Sequence, residues 1–449
     1  MSILRTLLPT TTAIAICLGS QALASDARSI ALGGAIIANG KGVHGALSNP
    51  AAMMAMQRRG ESSHFRFGSS VELRDTGNAV DILRDSNNDN LITDIESEID
   101  AISGQPITCN PIFDSNDTVC VSGTQPLSDL AGRVLDIINT VDGESIDGLA
   151  TGDLGFAYTR SKFPVAVNLR ISAAGSGTPD ISDGDRTYIS TFNSVLDENL
   201  TLGELEDLIT DTENPVLEIN LSGNAGQPLT VTLPETVLAS EATGGAVVRT
   251  QLGISLATTV AIGGVPLDVG ITPKFSSLSA RSINVLASEE FEDNPASLED
   301  RFEASEVTES SFTVDIGASM QIPDKPLIAA FVIRNLIPES ISTEEGFEFD
   351  TTSQLIVGAA FQRNKLSLTG DIALNEASQD GFDTQKMGVG VEFGTQMLAV
   401  RAGISHDAAR KVDPTSISLG LGLGGLDIGG RLTDLDSAEV GVQLAFSFN

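Results

Sequence analysis

Tryptophan is absent from the 449-residue chain, and tyrosine occurs only twice. Membrane β-barrels carry girdles of aromatic residues at both lipid interfaces, so in this chain the eighteen phenylalanines have to take that role. Beyond its N-terminus the chain also lacks any stretch of about 18 apolar residues, which excludes a membrane-spanning helix. Because lipid cannot satisfy an open sheet edge, a membrane form of this chain has to be a closed barrel.

Histidine and cysteine are equally scarce, which limits the chemistry that the chain can perform. The three histidines are His44, His64 and His406, and no group of cysteines and histidines has zinc spacing. No Gly-x-Ser-x-Gly motif of a nucleophilic serine is present. Ser405, His406 and Asp407 are neighbours at one hairpin end, where they cannot adopt the geometry of a catalytic triad. We therefore predict no enzymatic activity, no catalytic residue and no required cofactor, and we interpret His406 as a solvated loop residue.

The N-terminus has the pattern of a secretory signal. Residues 1–24 contain an early arginine, a short apolar run and a final Ala-Leu-Ala that is typical of a cleavage site. Export favours a disulfide between the two cysteines that would remain, Cys109 and Cys120. Such a bond would stabilise the fold by about 2–3 kcal/mol in the chain-entropy model. The alternative is two free thiols in a mobile loop.

Basic residues are few, and the acidic residues are concentrated in parts of the chain, so that the formal net charge is -34. Four segments hold 43 of the 60 acidic residues and only five basic ones: 72–147, 178–241, 286–310 and 339–350. Acidic, solvated loops joined by weakly charged strands are typical of a barrel. A surface this acidic argues against binding to nucleic acid or to anionic lipid.

The last residues, EVGVQLAFSFN (439–449), alternate with a period of two. The large apolar side chains fall on one face of a predicted strand, and the small or polar side chains fall on the other. This pattern fits a soluble sandwich, whose apolar face forms a core. It fits equally a membrane barrel, whose apolar face meets lipid.

Fourteen segments with strand patterns and flanking turn residues follow one another along the chain. Most are close to the length of a tilted membrane strand, and turns of two to four residues alternate with connections of ten to more than seventy. We therefore predict an all-β fold, a transmembrane antiparallel β-barrel of about 14 strands over residues 61–449. A hatch-like segment at 25–60 precedes it, and the acidic loops contain some helix. The long loop insertions are placed at about 74–150, 176–243 and 286–309.

The sequence DSNNDNLITDIE (85–96) matches an EF-hand-like calcium loop. Its candidate ligands occupy positions 1, 3, 5, 7, 9 and 12 of such a loop: Asp85, Asn87, Asp89, the carbonyl of Leu91, Thr93 and Glu96. Calcium binds six to eight oxygen atoms, and this order supplies them around a tight turn. Asn90 stands where glycine is usual, and asparagine tolerates the left-handed conformation better than most residues. The alternative is an acidic loop that matches by chance and binds no Ca²⁺.

The stretch DARSIALGGAIIANGKGVHGALSNPAAMMAMQRRG (26–60) resembles the N-terminal segment of the FadL-like fatty-acid-transporter outer-membrane proteins. There an Ala-Arg-x-x-x-x-Gly-Gly-Ala opening precedes an Asn-Pro-Ala element, which in this chain is Asn49, Pro50 and Ala51. The closing pattern LSLTGDIALNE … LAVRAGIS … SISLGLGLGGLDIGGRL … VGVQLAFSF is similar to the conjugal-transfer TraF-type branch of that superfamily. The resemblance implies a fourteen-stranded barrel that is plugged by a hatch. The alternative for this stretch is a flexible arm with one short helix at Pro50–Met56.

Three functions remain open at this point. A channel for small hydrophobic molecules, with or without a link to conjugation, predicts a lumen lined with Leu, Phe and Met near the hatch. An assembly role in the envelope, which the conjugation name implies, predicts partner proteins at the loops. A soluble exported β-protein predicts no membrane contact, and the short turns on one side count against it. The expected partners are outer-membrane lipid and either a small hydrophobic ligand or envelope proteins, with no nucleic acid. The expected location is the outer membrane.

Overall fold

Strands with the predicted alternation close on themselves to form one barrel. A computed structural model describes residues 26–60, 62–75, 125–195, 218–220, 230–232, 239–286, 296–395, 397–410, 414–433 and 438–448. Fourteen of its strands form a closed antiparallel barrel in which each strand pairs with its neighbours along the chain. In chain order they are β1 (Ser63–Asp75), β2 (Ile146–Tyr158), β3 (Val165–Asp180), β4 (Glu241–Ile262), β5 (Val265–Leu286), β6 (Val307–Gln321), β7 (Leu327–Arg334), β8 (Gln354–Arg363), β9 (Leu366–Ala373), β10 (Lys386–Gly394), β11 (Leu398–Asp407), β12 (Thr415–Leu423), β13 (Leu426–Leu432) and β14 (Ala438–Phe448).

The last strand, β14, shows whether its apolar face lies in a core or on the outside of a barrel. β14 closes the barrel against β1 in antiparallel register. Val440, Val442 and Leu444 are exposed on the outer face, while Gly441 and Gln443 are buried on the inner face. An outer apolar face around a closed sheet is the arrangement that lipid requires. The predicted fold class, a transmembrane β-barrel of fourteen strands, is therefore confirmed. Phenylalanines share the outer face at Phe65, Phe67, Phe156, Phe275, Phe312 and Phe393.

The two ends of the barrel differ in their connections. Six short turns lie at the end where β1 begins and β14 ends, called here the turn end. Several of these turns hold residues with positive φ, where glycine, asparagine and aspartate are tolerated best: Gly263, Gly264, Asp324, Asn364 and Gly424. All longer connections emerge at the opposite end, called here the loop end.

The loop end carries most of the helix and two small sheets, the smaller of which pairs Glu218–Asn220 with Thr230–Thr232. The helices there are α4 (Gln125–Val141), α5 (Asp183–Val195) and α6 (Ala296–Ala304). Four short strands form a sheet, called here the mouth sheet: Glu339–Ser342, Glu348–Thr351, Ala377–Gln379 and Phe382–Thr384. Its Ile341 and Phe349 pack in one apolar cluster with Ala174, Val247 and Leu278 of the barrel wall, so the mouth sheet lies inside the barrel opening. The sequence prediction did not include this sheet.

Residues 26–60, called here the lumenal segment, lie inside the barrel. They form three short helices, α1 (Ala27–Ala31), α2 (Gly42–Ser48) and α3 (Ala52–Arg58), joined by turns. The flexible-arm alternative with one helix at Pro50–Met56 is wrong, because most of the segment is buried against the wall. Among the described residues, no helix is both long enough and apolar enough to cross a membrane.

Candidate functional site: a compartment in the barrel lumen

Helix α1 rests on glycines of three adjacent strands. Gly420, Gly429 and Gly441 lie directly opposite one another across β12, β13 and β14, and together they are called here the glycine platform. A Cβ atom at Gly429 would overlap the carbonyl oxygen of Ala27, and one at Gly441 would lie 2.6 Å from Cδ1 of Ile30. The absence of side chains therefore lets the helix backbone touch the wall, which is a positional use of glycine in strands.

The Asn-Pro-Ala element lies against a second pair of inward glycines, Gly270 and Gly317. Asn49 has no exposed surface. Its Nδ2 donates to the carbonyl of Ile37 at 3.1 Å and to the carbonyl of Ala318 at 3.3 Å, and its Oδ1 accepts from the backbone N–H of Ala51 at 3.0 Å. One amide side chain thus joins two turns of the lumenal segment to strand β6.

Replacing Asn49 with aspartate is expected to loosen the lumenal segment. The two donated hydrogen bonds become contacts between a buried carboxylate oxygen and two carbonyl oxygens. Each unsatisfied buried group costs about 1–3 kcal/mol. We expect at least a tenfold faster cleavage of residues 26–60 by added protease. Asn364→Asp is the matched control, because Asn364 is exposed in a turn; equal cleavage rates in the two variants would contradict the assignment.

Charged side chains fasten the other half of the lumenal segment. Glu392 of β10 accepts from Nε of Arg28 and from Nε of Arg401, both at 2.8 Å, and it also contacts Lys41. Both oxygens of that carboxylate are therefore occupied by cations, two of which come from the lumenal segment. On the neighbouring strand, Asp371 of β9 accepts the backbone N–H groups of Ile36 and Ile37 at 2.5 and 2.8 Å.

His44 of α2 lies at the centre of a buried polar chain. Its Nε2 is 2.7 Å from Asp26 and 2.9 Å from Ser48, while its Nδ1 is 2.5 Å from Nη1 of Arg66. Because a guanidinium only donates, Nδ1 has to accept, so the imidazole is neutral and carries its proton on Nε2. Burial lowers the pKa of His44 to about 4, since the attraction of Asp26 only partly offsets it and Arg66 and Arg28 add to it.

The lumenal segment is expected to loosen as the pH falls from about 6.5 to about 4. An undocked His44 takes up a proton near its ordinary pKa of 6.5, whereas the docked residue resists protonation down to about 4. The undocked state therefore binds more protons in this window, and docking loses free energy as the pH falls through it. The charged groups that face His44 are Asp26, Arg66 and Arg28. Protease cleavage of residues 26–60 at stepped pH measures this.

His44→Gln supplies the control for that pH series. Glutamine keeps one acceptor for Arg66 and one donor for Asp26 but does not titrate. We expect its cleavage rate to change much less across the same window. An identical pH profile in the wild type and in His44→Gln would assign the effect to another group.

Arg249 of β4 fastens the mouth sheet to the barrel wall. Its Nε donates to Asp380 at 2.7 Å, its Nη2 donates to Thr351 at 2.5 Å, and its Nη1 contacts Glu339. All four residues are buried, and the three partners lie within or beside strands of the mouth sheet. A single guanidinium thus holds both loops that build the mouth sheet.

A cavity of about 310 Å³ lies between the lumenal segment and the mouth sheet. Its wall includes seven acidic and seven basic residues: Asp26, Glu72, Asp153, Asp315, Asp371, Asp380 and Glu439, with Arg66, Arg170, Arg249, Lys274, Arg334, Lys386 and Arg431. Of the expected lining of Leu, Phe and Met, only Leu47, Leu149 and Phe382 line this cavity, and the charged side chains outnumber them. Met53, Met54 and Met56 do lie in the lumenal segment, but they are packed against wall alanines.

Several sequence-predicted site residues lie outside the described residues. These are the calcium-loop candidates Asp85, Asn87, Asp89, Leu91, Thr93 and Glu96, and the cysteines Cys109 and Cys120. Within the ranges that the structure describes, no group of three or more His, Cys, Asp or Glu side chains is placed to hold a metal ion. Asn49, Pro50 and Ala51 are brought to the barrel wall at Gly270 and Gly317, as described above.

His406 belongs to strand β11. The interpretation of His406 as a solvated loop residue is therefore wrong. Ser405 and Asp407 on either side of it are buried on the inner face, while His406 is half-buried and contacts Thr415. Consecutive strand residues point to opposite faces, so these three side chains do not converge on one another.

Sequence reasoning missed the charged residues that build the compartment. Arg66, Arg249 and Glu392 each occupy an inward position in a strand whose outward positions are apolar. The available signal was a charged residue at an inward-facing position of an alternating strand. The partners of these charged residues, however, come from distant parts of the chain and could not be predicted from sequence spacing.

Known proteins resemble this chain over most of its length. The family described as F plasmid transfer operon, TraF, protein matches residues 46–372. No curated protein matches the chain. The P. putida toluene transporter TodX aligns with a TM-score of 0.42 and 11% identity, covering 96% of this chain and 99% of TodX. The monoaromatic hydrocarbon channel CymD aligns with a TM-score of 0.33 and 12% identity, covering 95% of this chain and 98% of CymD. Similarity at this level is too low to transfer a ligand from those channels.

Proposed function

Because this chain belongs to the TraF protein family of the F plasmid transfer operon, we propose that it is a non-enzymatic outer-membrane β-barrel that holds small molecules in a lumenal compartment. Residues 1–24 direct its export, and outer-membrane lipid surrounds its apolar outer face. Any role in plasmid transfer rests on the family description alone.

The observation that carries this proposal is the position of the cavity between two ordered elements of the lumen. The lumenal segment lies on one side of it and reaches the turn end, where Gln57 donates to the carbonyls of Thr159 and Ser161 at 2.8 and 2.7 Å. The mouth sheet lies on the other side, inside the loop-end opening, where Arg249 holds it. A cavity of about 310 Å³ between these two elements has the size of a small-molecule site.

Small hydrophobic molecules are a second candidate cargo. Ile36, Ile37 and Ile356 line one side of the cavity, and Ile37 and Ile356 belong to an apolar cluster with Val332 of the wall. An apolar group of modest size would contact this side, while the charged remainder of the wall disfavours a wholly apolar cargo.

Cell fractionation followed by electrophoresis with and without boiling tests the membrane assignment. We expect the chain in the outer-membrane fraction, and we expect its band to shift on heating, because a closed barrel resists detergent until it is boiled. Recovery as a soluble protein without a heat shift would overturn the proposal.

Uptake by cells with and without the chain tests the compartment. Two radiolabelled probes of similar size, benzoate and toluene, represent a charged and an apolar cargo. Reduced benzoate uptake in the deletion strain supports the charged compartment, and reduced toluene uptake alone supports the second candidate. Unchanged uptake of both probes would contradict a role in small-molecule passage.

A further inference from the structure

Two cations of the cavity wall differ from the rest. Arg170 of β3 and Arg334 at the end of β7 both face the cavity, and neither guanidinium group makes a hydrogen bond or an ion pair with another described residue. By contrast, Arg66, Lys274 and Arg249 each contact a carboxylate. A guanidinium carries five donors and keeps its charge at any physiological pH, so two of them in one cavity wall leave strong binding capacity unused.

Arg170 and Arg334 lie close enough to act on each other and on Lys274 as like charges. The opposing charges near Arg334 are Asp315 and Asp371, and Asp153 lies near Arg170. Asp315 is already 2.7 Å from Nζ of Lys274. Asp371 accepts the backbone N–H groups of the lumenal segment through one of its oxygens. The other oxygen of Asp371 and the Oδ2 of Asp153 make no hydrogen bond with the described residues. This corner of the cavity therefore holds three cations and three carboxylates, and neither of the two arginines is paired with a carboxylate.

The backbone beside Arg334 fixes the geometry of this corner. Asn335 has a φ of 50°, a left-handed conformation that asparagine tolerates. Its Oδ1 accepts from Nζ of Lys274 at 2.7 Å, and its backbone N–H donates to Asp315 at 2.9 Å. Lys274 and Asp315 are thereby held in place, and Arg334, the residue before Asn335, faces the cavity.

We propose that Arg170 and Arg334, supported by Lys274, bind a small hydrophilic oxyanion in the lumenal compartment. The planar fork of each guanidinium matches the oxygens of a carboxylate or of a phosphate. The seven acidic residues of the wall oppose a polyanion, and the charged lining opposes a long apolar chain, so the ligand carries one or two negative charges on a compact body. This inference rests on the proposed compartment and names the class of molecule that it selects.

Isothermal titration of the detergent-solubilised full chain with inorganic phosphate tests this site, with acetate as the carboxylate probe. The chain has no tryptophan, so binding heat is a better readout than intrinsic fluorescence. We expect saturable binding to the wild type. Arg170→Gln and Arg334→Gln should each weaken it at least tenfold, and Arg170→Lys should recover only part of the loss, because lysine restores charge without the fork.

Arg363→Gln is the matched control, since it removes the same charge from an exposed turn-end position. Wild-type affinity in Arg363→Gln, together with loss in the two lumenal variants, supports the site. Equal affinity in all three variants, or no saturable heat with the wild type, overturns it. Glycerol phosphate and a short-chain phosphatidylglycerol below its micelle concentration compete as headgroup probes. Displacement by the lipid alone would assign the site to a lipid headgroup and overturn the small-solute assignment.

The heat-shift assay runs beside each titration to separate the two failures. A variant that keeps its heat shift but loses phosphate has a folded barrel and a damaged site. A wild type that keeps its heat shift and binds no phosphate overturns this inference and leaves the outer-membrane barrel standing. Loss of the heat shift in the wild type would overturn the proposed function itself.

Discussion

Replacing Arg249 with methionine is expected to free the mouth sheet while the barrel stays closed. Methionine fills part of the same volume but leaves Glu339 and Asp380 buried without their cation. Removing one partner of a buried ion pair costs about 3–5 kcal/mol. At about 1.4 kcal/mol per tenfold change, the open population of the mouth sheet should rise by at least about 100-fold. Hydrogen exchange of residues 339–384 in the detergent-solubilised protein measures this directly.

The triple variant Arg249→Met, Glu339→Gln and Asp380→Asn is the control for that experiment. It removes both buried carboxylates together with the cation, so no uncompensated charge is left. We expect it to recover a large part of the lost protection. Full protection in Arg249→Met alone, or equal exposure in the single and the triple variant, would show that the ion pairs do not hold the mouth sheet.

Replacing Gly429 with valine is expected to displace α1 and to open a path through the barrel. The new Cβ would overlap the carbonyl oxygen of Ala27, which is backbone and cannot rotate away. Overpacking of this kind costs about 1–3 kcal/mol, which corresponds to a shift of about 5-fold to 150-fold toward an undocked segment. In a planar lipid bilayer we expect frequent conductance steps that the wild type shows rarely.

Gly430→Val is the matched control because the two glycines are neighbours in β13. The nearest atom to a Cβ at Gly430 is the carbonyl oxygen of Glu439, at 3.8 Å, which is an ordinary contact. The two variants therefore share strand, residue type and added volume. Equal conductance in both would mean that the glycine platform does not seat the lumenal segment. A variant that lacks residues 26–60 gives the upper limit of opening.

The strands could be predicted from the sequence because their signal is local. Each outward face meets lipid, so alternation persists along every strand, and turn residues such as Asn364 mark the ends. Strand ends at the loop side were less well defined. β3 runs to Asp180 through small and polar residues, because pairing with β4 continues where no apolar face is needed.

The compartment could not be predicted in the same way, because its contacts join residues that are far apart in the chain. Arg28 meets Glu392, and Ile36 meets Asp371, across more than three hundred residues. The glycine-rich strands were visible as a pattern, but glycine marks either a bend or a close approach. Only the position of Ala27 against Gly429 shows that this glycine permits a close approach of helix α1 to the wall. The mouth sheet has strands of three or four residues, too short for a periodic signal.

The pairing of β1 with β14 sets an order of events during folding. These strands lie at opposite ends of the barrel sequence, so the seam between them carries the largest loop-closure entropy and is expected to form last. Helix α1 lies against β13 and β14, on the side of the seam that arrives at the end of the chain. The lumenal segment therefore lies inside a curved, still open sheet until this seam forms. The strands that close the barrel also complete the surface on which α1 packs, so we expect barrel closure and docking of the lumenal segment to occur in one step.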